Sequence, residues 1–395
     1  MTGARPPLVA LDCRAATART GGVGRYVLNL ARELHLRGET RLALLVGADP
    51  HPGLAALDGA TVVETGWTPA LARQDLRFAW EQGELRRILA RLRPDLFHAT
   101  WNLGIPLASR VPAVLTLHDL LPLSTPGWFG ARAHRAFFLA GQYAALLRAR
   151  RVIAVSGATR AALAGMSPWL ARKAVVVHEG VEDAFAPGPA DDGPAAAGPR
   201  YLLAVGGREA RKNLAGLFAA FALSGLAAEL HVTGEEATLG PVDRAALDAL
   251  APSLRARVRF LGFVPDAALP ALYRGASMLV FPSRGEGFGL PPLEAMACGT
   301  PVVAGRAGSI PEIAGGAALL VDPGDPVAIA TAMRRLDGDP GLRARLVSKG
   351  LARAAQLRWP ACAEATMAIY REALGGSSSL RRTLRISQPS TGMRS

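Results

Sequence analysis

Short apolar runs alternate with longer amphipathic stretches along this 395-residue chain, and the whole alternation occurs twice. The first series places strands at 8–11, 41–46, 96–99, 113–117, 152–155 and 174–177. Helical stretches such as 24–37, 71–92 and 131–150 lie between them. Residues 187–199, PGPADDGPAAAGP, carry neither period and read as a linker. The second series follows at 201–205, 230–233, 258–261, 278–281, 302–304 and 318–321. Strands that are apolar throughout, each followed by a helix, belong to parallel sheets covered on both faces. The predicted fold class is therefore α/β: two doubly wound, Rossmann-like domains facing a cleft, where ligands bind beyond the carboxyl ends of the strands. The boundaries read as 1–187 for the first domain, 188–200 for the linker and 201–358 for the second. A last helix over 359–375 follows, and a Ser-, Gly- and Arg-rich tail over 376–395 is expected to be disordered.

Composition narrows the class. Half the residues are hydrophobic, yet no apolar run reaches the roughly 18 residues that a membrane span needs. The N-terminus lacks the layout of a signal peptide, so a cytoplasmic location is expected. Cys13, Cys298 and Cys362 are far apart and show neither metal-ligand spacing nor a redox pair. The net charge is +13. Five Arg within 130–151 and four within 380–395, with no acid in either segment, supply nine of it. Phe137, Phe138 and Tyr143 lie among Leu and Ala in the first segment, as on an amphipathic helix. That suits an anionic membrane surface, and so a peripheral position on the inner face of the cell membrane. The alternative is a solvated helix face and a loose tail. A nucleic-acid partner is not expected, since basic and aromatic residues are not interleaved on a platform. Only Lys173, Lys212 and Lys349 are lysines, which sets Lys212 apart in an Arg-dominated chain.

The segment Phe281 to Val303, FPSRGEGFGLPPLEAMACGTPVV, carries the densest chemistry. A strand ends at Phe281, and a loop with Gly285, Gly287 and Gly289 follows. A helix then opens around Pro291 and Pro292, so glycine-permitted backbone approach meets a helix N-terminus. This is a phosphate site. Glu286 in the loop and Glu294 in the first helical turn would repel phosphate, so they fit sugar or ribose hydroxyls instead. The segment Val205 to Asn213, VGGREARKN, offers Arg211 and Lys212 as cations for a diphosphate, with no paired-carboxylate metal site read beside it. TGGVGRY, with Gly22 and Arg25, lies between the first strand and the first helix as a glycine-rich turn that cradles a phosphate or simply turns the chain. LTLHDLLPL places His118 at a strand end with Asp119 as a loop or cap residue, and FHAT places His98 at another strand end.

The EGFGLPPLEAMACGTPVV run, with its Glu, seven residues, Glu spacing, resembles glycosyltransferase family 4, and the resemblance extends to about Leu374. It implies the GT-B fold, with an acceptor-side N-terminal domain, a nucleotide-sugar-binding C-terminal domain and a final helix packing back on the first. It further implies a nucleotide diphosphate sugar as donor substrate, no cofactor and no metal, transfer with retention of configuration, and a glycan or lipid-linked acceptor. Residue by residue, it implies Glu286 and His118 at the donor sugar, Glu294 on the donor ribose, and Gly22, Lys212 and the backbone of Gly287, Phe288, Gly289 and Leu290 at sugar and diphosphate. Arg25 and His98 fall on the acceptor side. The family's upstream Arg is replaced here by Gly207, leaving Arg208 or Arg211 to substitute. REARKN is closer to a variant common among enzymes that use GDP-mannose. A sugar-nucleotide epimerase and a non-catalytic sugar-nucleotide-binding protein are the alternatives.

Overall fold

The structure, a computed structural model, describes residues 5–18, 21–72, 74–124, 132–188, 200–206 and 209–375. The linker core at 189–199, the tail, Gly207 and Arg208 lie outside them.

The first lobe holds seven parallel strands: β1 (Leu8–Asp12), β2 (Arg41–Val46), β3 (Thr61–Glu64), β4 (Leu96–Ala99), β5 (Ala113–Leu117), β6 (Arg151–Ala154) and β7 (Ala174–Val176), ordered β3-β2-β1-β4-β5-β6-β7. The second holds six: β8 (Tyr201–Ala204), β9 (Glu229–Val232), β10 (Val258–Phe260), β11 (Met278–Phe281), β12 (Val302–Gly305) and β13 (Leu319–Val321), ordered β10-β9-β8-β11-β12-β13. The expected set lacked β3. Its side chains are mostly exposed at the sheet edge, so it has no continuous buried face to mark it. The predicted 71–92 helix is broken by a π-helical turn at Glu81–Leu85, between helices Gln74–Trp80 and Arg86–Leu92.

Every residue of β4, β5, β8 and β11 is buried, because helices cover both faces of each sheet. One apolar cluster runs from Val9, Leu11, Tyr26 and Leu30 in the first lobe to Leu279, Phe281 and Ile310 in the second, through Trp359 and Tyr370. Each fully buried side chain of this size contributes roughly 1.5–3 kcal/mol. The helix Trp359–Ala373 lies against the Gly22–Arg37 helix, β5 and β6, so the last described element joins the first lobe. Its entry crosses the strand-like segment after β7, where Val181 N–H donates to Leu357 O at 3.0 Å. The crossing is tight: a Cβ on Gly180 would lie 2.2 Å from Trp359 N. No described helix is long and apolar enough to cross a membrane.

Candidate active site

In each sheet the strand order reverses direction once, and the loops leaving the two strands at the reversal open a crevice. In the second lobe these strands are β8 and β11. Lys212 follows β8 and Glu286 follows β11, so topology alone brings together residues 74 apart in sequence. Asn213 fixes the loop. It sits in left-handed backbone (φ 59°), and its Nδ2 donates to Pro282 O at 3.1 Å and Pro323 O at 2.7 Å. Sequence reading did not single it out. An Asn directly after the Arg-Lys pair, a residue type enriched in that backbone region, was the available signal.

Lys212 Nζ lies 2.9 Å from Glu286 Oε1 and 4.6 Å from the Phe281 ring centre, and Arg211 pairs with the other Glu286 oxygen. Ser283 Oγ donates to Glu286 Oε1 at 2.7 Å. Burial alone would raise the Glu286 carboxyl. Lys212, then Arg211, then the Ser283 hydrogen bond outweigh it and hold the group below the usual carboxylate range. Burial likewise lowers the Lys212 ammonium, which Glu286 only partly offsets. Arg211 also pairs with Glu209 at the more exposed rim, so Lys212 and Arg211 stand among two carboxylates as a partly buried, charge-balanced cluster.

The glycines of the loop after β11 serve close approach. Gly289 has φ 101°, and a Cβ there would sit 2.5 Å from Ile310 Cδ1. A Cβ on Gly287 would lie 2.0 Å from the His118 carbonyl of the first lobe. Gly287 O in turn accepts from Ser156 Oγ at 2.6 Å. Phe288 O and Glu286 O accept from Ser309 Oγ. The helix Leu290–Ala297 starts one residue before its two prolines. Since Pro291 and Pro292 have no N–H, its anion-facing donors reduce to the amides around Leu290.

Glu294 is the fifth residue of that helix, not part of its first turn as expected. It therefore points inward rather than complementing the dipole. It is 1 % exposed, its Oε2 accepts from Tyr273 OH at 2.8 Å, and its Oε1 lies 2.7 Å from Arg25 Nη2. Burial pushes the Glu294 carboxyl above its usual range against the pull of Arg25 and Tyr273. Arg25, expected on the acceptor side, reaches from the first lobe to this acid. Glu182 at 3.6 Å and Asp266 at 4.0 Å are its further neighbours. Gly22 opens the helix that carries Arg25.

His118 stands at the end of β5. Its Nε2 is 2.9 Å from Thr100 O, its Nδ1 is 3.3 Å from Glu179 Oε1, and Tyr26 meets the ring edge-on. Asp119 caps the short Leu121–Ser124 helix through Leu121 N–H at 3.1 Å. His98 is a correction: it is fully buried, with Tyr370 OH at 2.7 Å and Thr116 Oγ1 at 2.8 Å on its two nitrogens. Burial pushes its pKa down to about 3, so it is a neutral core residue and not an acceptor contact. Arg208 lies outside the described residues. One Asp-x-Asp spacing, Asp337-Gly338-Asp339, is present in the chain and escaped the sequence reading. Its members are committed elsewhere. Asp337 pairs with Arg200 at the amino end of β8, opposite the crevice, and Asp339 caps the Pro340–Gln356 helix.

A second contact between the lobes was also missed. Glu312 of the second lobe accepts from Gly157 N–H at 2.9 Å and Ala158 N–H at 3.2 Å, at the start of the Gly157–Met166 helix, and pairs with His178 at 2.6 Å. Burial raises this carboxyl, but the His178 hydrogen bond and the two amides bring it below the ordinary value of 4.5. A depressed folded-state pKa contributes stability that is present above the unfolded value and lost as pH falls through the folded one. Glu312→Gln is therefore expected to melt below the wild type at pH 7, with the gap closing as pH drops below 4.5. Thermal unfolding at pH 7 and pH 3.5 checks this, and a constant gap would refute it.

Two lobes, each with a switch-point crevice, joined across a cationic and carboxylate-bearing loop, define a GT-B glycosyltransferase. Residues 20–185 match the family model for Glycosyltransferase Family 4, and residues 199–339 match that for glycosyl transferases group 1. The chain is 30% identical over 372 residues to O-antigen chain mannosyltransferase B of Escherichia coli, covering 89% of this chain and 96% of that one. It is 25% identical over 399 residues to the serotype-specific mannosyltransferase WbdA of Escherichia coli, covering 89% of this chain but 46% of that longer one. Sucrose-phosphate synthase from Thermosynechococcus elongatus superposes with a TM-score of 0.75 at 22% identity, over 93% of this chain and 98% of that one. The chain belongs to glycosyltransferase family 4 and is a glycosyltransferase.

Proposed function

We propose that this enzyme transfers a hexose, mannose from GDP-mannose in the first place, to a glycan or lipid-linked acceptor, with retention of anomeric configuration and without a metal ion. The observation that carries the reading is the convergence of Arg211 and Lys212 on Glu286 in the second-lobe crevice, beneath the His118 end of β5. A diphosphate takes over the two cations and the amides around Leu290. Glu286, released from them, accepts hydroxyl protons of the transferred sugar. Glu294 takes the ribose diol, and Arg25 is then free to turn toward the donor phosphates. The bond from the anomeric carbon to the phosphate oxygen breaks as the bond to the acceptor oxygen forms on the same face. The acceptor proton passes to the departing phosphate. The mannose assignment draws on the two mannosyltransferase relatives and on REARKN. The Arg132–Arg148 helix, with Phe137 exposed, suits attachment at the cytoplasmic face of an anionic membrane.

Thermal unfolding with a panel of nucleotide sugars tests the donor. GDP-mannose is expected to raise the melting temperature most, since a ligand that binds the folded state stabilises it. Transfer with that donor is expected to be unchanged by EDTA. Stabilisation by another nucleotide sugar alone overturns the mannose assignment, and loss of transfer in EDTA that added Mg²⁺ restores overturns the metal-free one.

A further inference from the structure

Glu179 follows β7, is 4 % exposed and belongs to no motif read from the sequence. Its one described partner is His118, at 3.3 Å. The other buried acids of the cleft each have several: Glu286 has Arg211, Lys212 and Ser283, and Glu294 has Arg25 and Tyr273. Taking a carboxylate out of water against a single partner is costly, so the arrangement calls for a reason beyond packing. The surroundings of the His118 ring supply one. The Thr100 carbonyl only accepts, so the proton on that side belongs to Nε2 of His118. The opposite nitrogen, Nδ1, faces a Glu179 carboxylate oxygen at 3.3 Å. Tyr26 against the ring edge removes the remaining freedom. Meanwhile the His118 main chain is fixed independently, by Asn102 Oδ1 on its N–H at 2.7 Å and Thr159 Oγ1 on its carbonyl at 3.0 Å. Glu179 therefore acts on the ring and not on the loop.

We propose that Glu179 is a positioning residue for His118: packed beside Nδ1 from the segment after β7, it fixes the orientation of the imidazole ring at the cleft end of β5. This rests on the functional reading above for what His118 meets. The structural half stands without it. A ring misplaced by about 1 Å can cost on the order of a hundredfold in rate.

The test pairs a spectroscopic readout with a mutant cycle. Imidazole ¹⁵N spectra of the full chain, with His118 assigned by its loss in His118→Ala, are expected to show an Nδ1 environment that changes in Glu179→Ala and is largely kept in Glu179→Gln, whose amide oxygen still accepts. Turnover of GDP-mannose is expected to fall about tenfold to a hundredfold in Glu179→Ala with little change in KM. Glu179→Gln should restore most of it, and the double variant should be no slower than His118→Ala, as for residues acting as one unit. A His118 signal indifferent to Glu179, or losses that multiply in the double variant, overturns the proposal. A His118 signal that responds while His118→Ala turns over at the wild-type rate overturns the functional reading instead and, with it, the role given to Glu179.

Discussion

Lys212→Ala is expected to lower transfer turnover by about 10²–10³-fold while the folded state survives. The magnitude is that of removing one preorganised charge from the place where charge develops on a leaving group in a water-poor site. The geometry explains why this substitution is the clean one. Once Lys212 is gone, Glu286 keeps Arg211 and the Ser283 hydroxyl, so no carboxylate is left uncompensated in the cavity. Glu286→Ala is a harsher change, because it leaves Arg211 and Lys212 side by side without their shared acid. It is expected to lose activity as strongly and some stability besides. Lys212→Arg separates charge from shape. The guanidinium keeps the charge but not the compact ammonium that fits between Phe281 and Glu286, so partial activity is expected. Steady-state kinetics together with thermal unfolding check the set. Wild-type turnover in Lys212→Ala would remove the diphosphate from this loop.

The largest stability effect is expected at the contact between the lobes. Glu294→Ala strips Arg25 of its nearest counter-ion. Arg25 then sits mostly buried with Glu182 and Asp266 only at longer range. Breaking one partner of a buried pair costs about 3–5 kcal/mol, because the survivor keeps its desolvation penalty and loses its compensation. Tyr273 OH, whose acceptor is Glu294, is orphaned by the same change, which adds to the loss. The reverse substitution, Arg25→Met, leaves Glu294 with Tyr273 in a site that already favours the neutral acid, and is expected to cost less. Urea unfolding of the two variants gives the comparison. Equal and small losses would mean that water reaches the pair and screens it.

The strand pattern was legible wherever burial was complete. All six strands of the second lobe and the inner strands of the first announced themselves as apolar runs. The edge strand Thr61–Glu64 did not, because exposure on both faces erases that signal. The loop after β11 was legible as a loop from its glycines. The partners that complete the site were not. Tyr273, Glu179, Glu312 and Asn213 lie in four separate segments, and only the fold shows that Tyr273 faces Glu294 or that Glu179 faces His118. His98 was misplaced for the same reason, and the reach of Arg25 to Glu294 was not foreseen. A strand end tells which edge of the sheet a residue occupies, but not whether its side chain turns into the core, as His98 does, or across the cleft, as Arg25 does.

A crystal structure of the protein with an intact nucleotide sugar would probe the assignment at its root. The expected result is a diphosphate within hydrogen-bond reach of the Lys212 ammonium, the Lys212–Glu286 contact opened, and a Glu286 oxygen on a hydroxyl of the hexose. A sugar nucleotide bound elsewhere, with Lys212 and Glu286 still locked to each other, would contradict it.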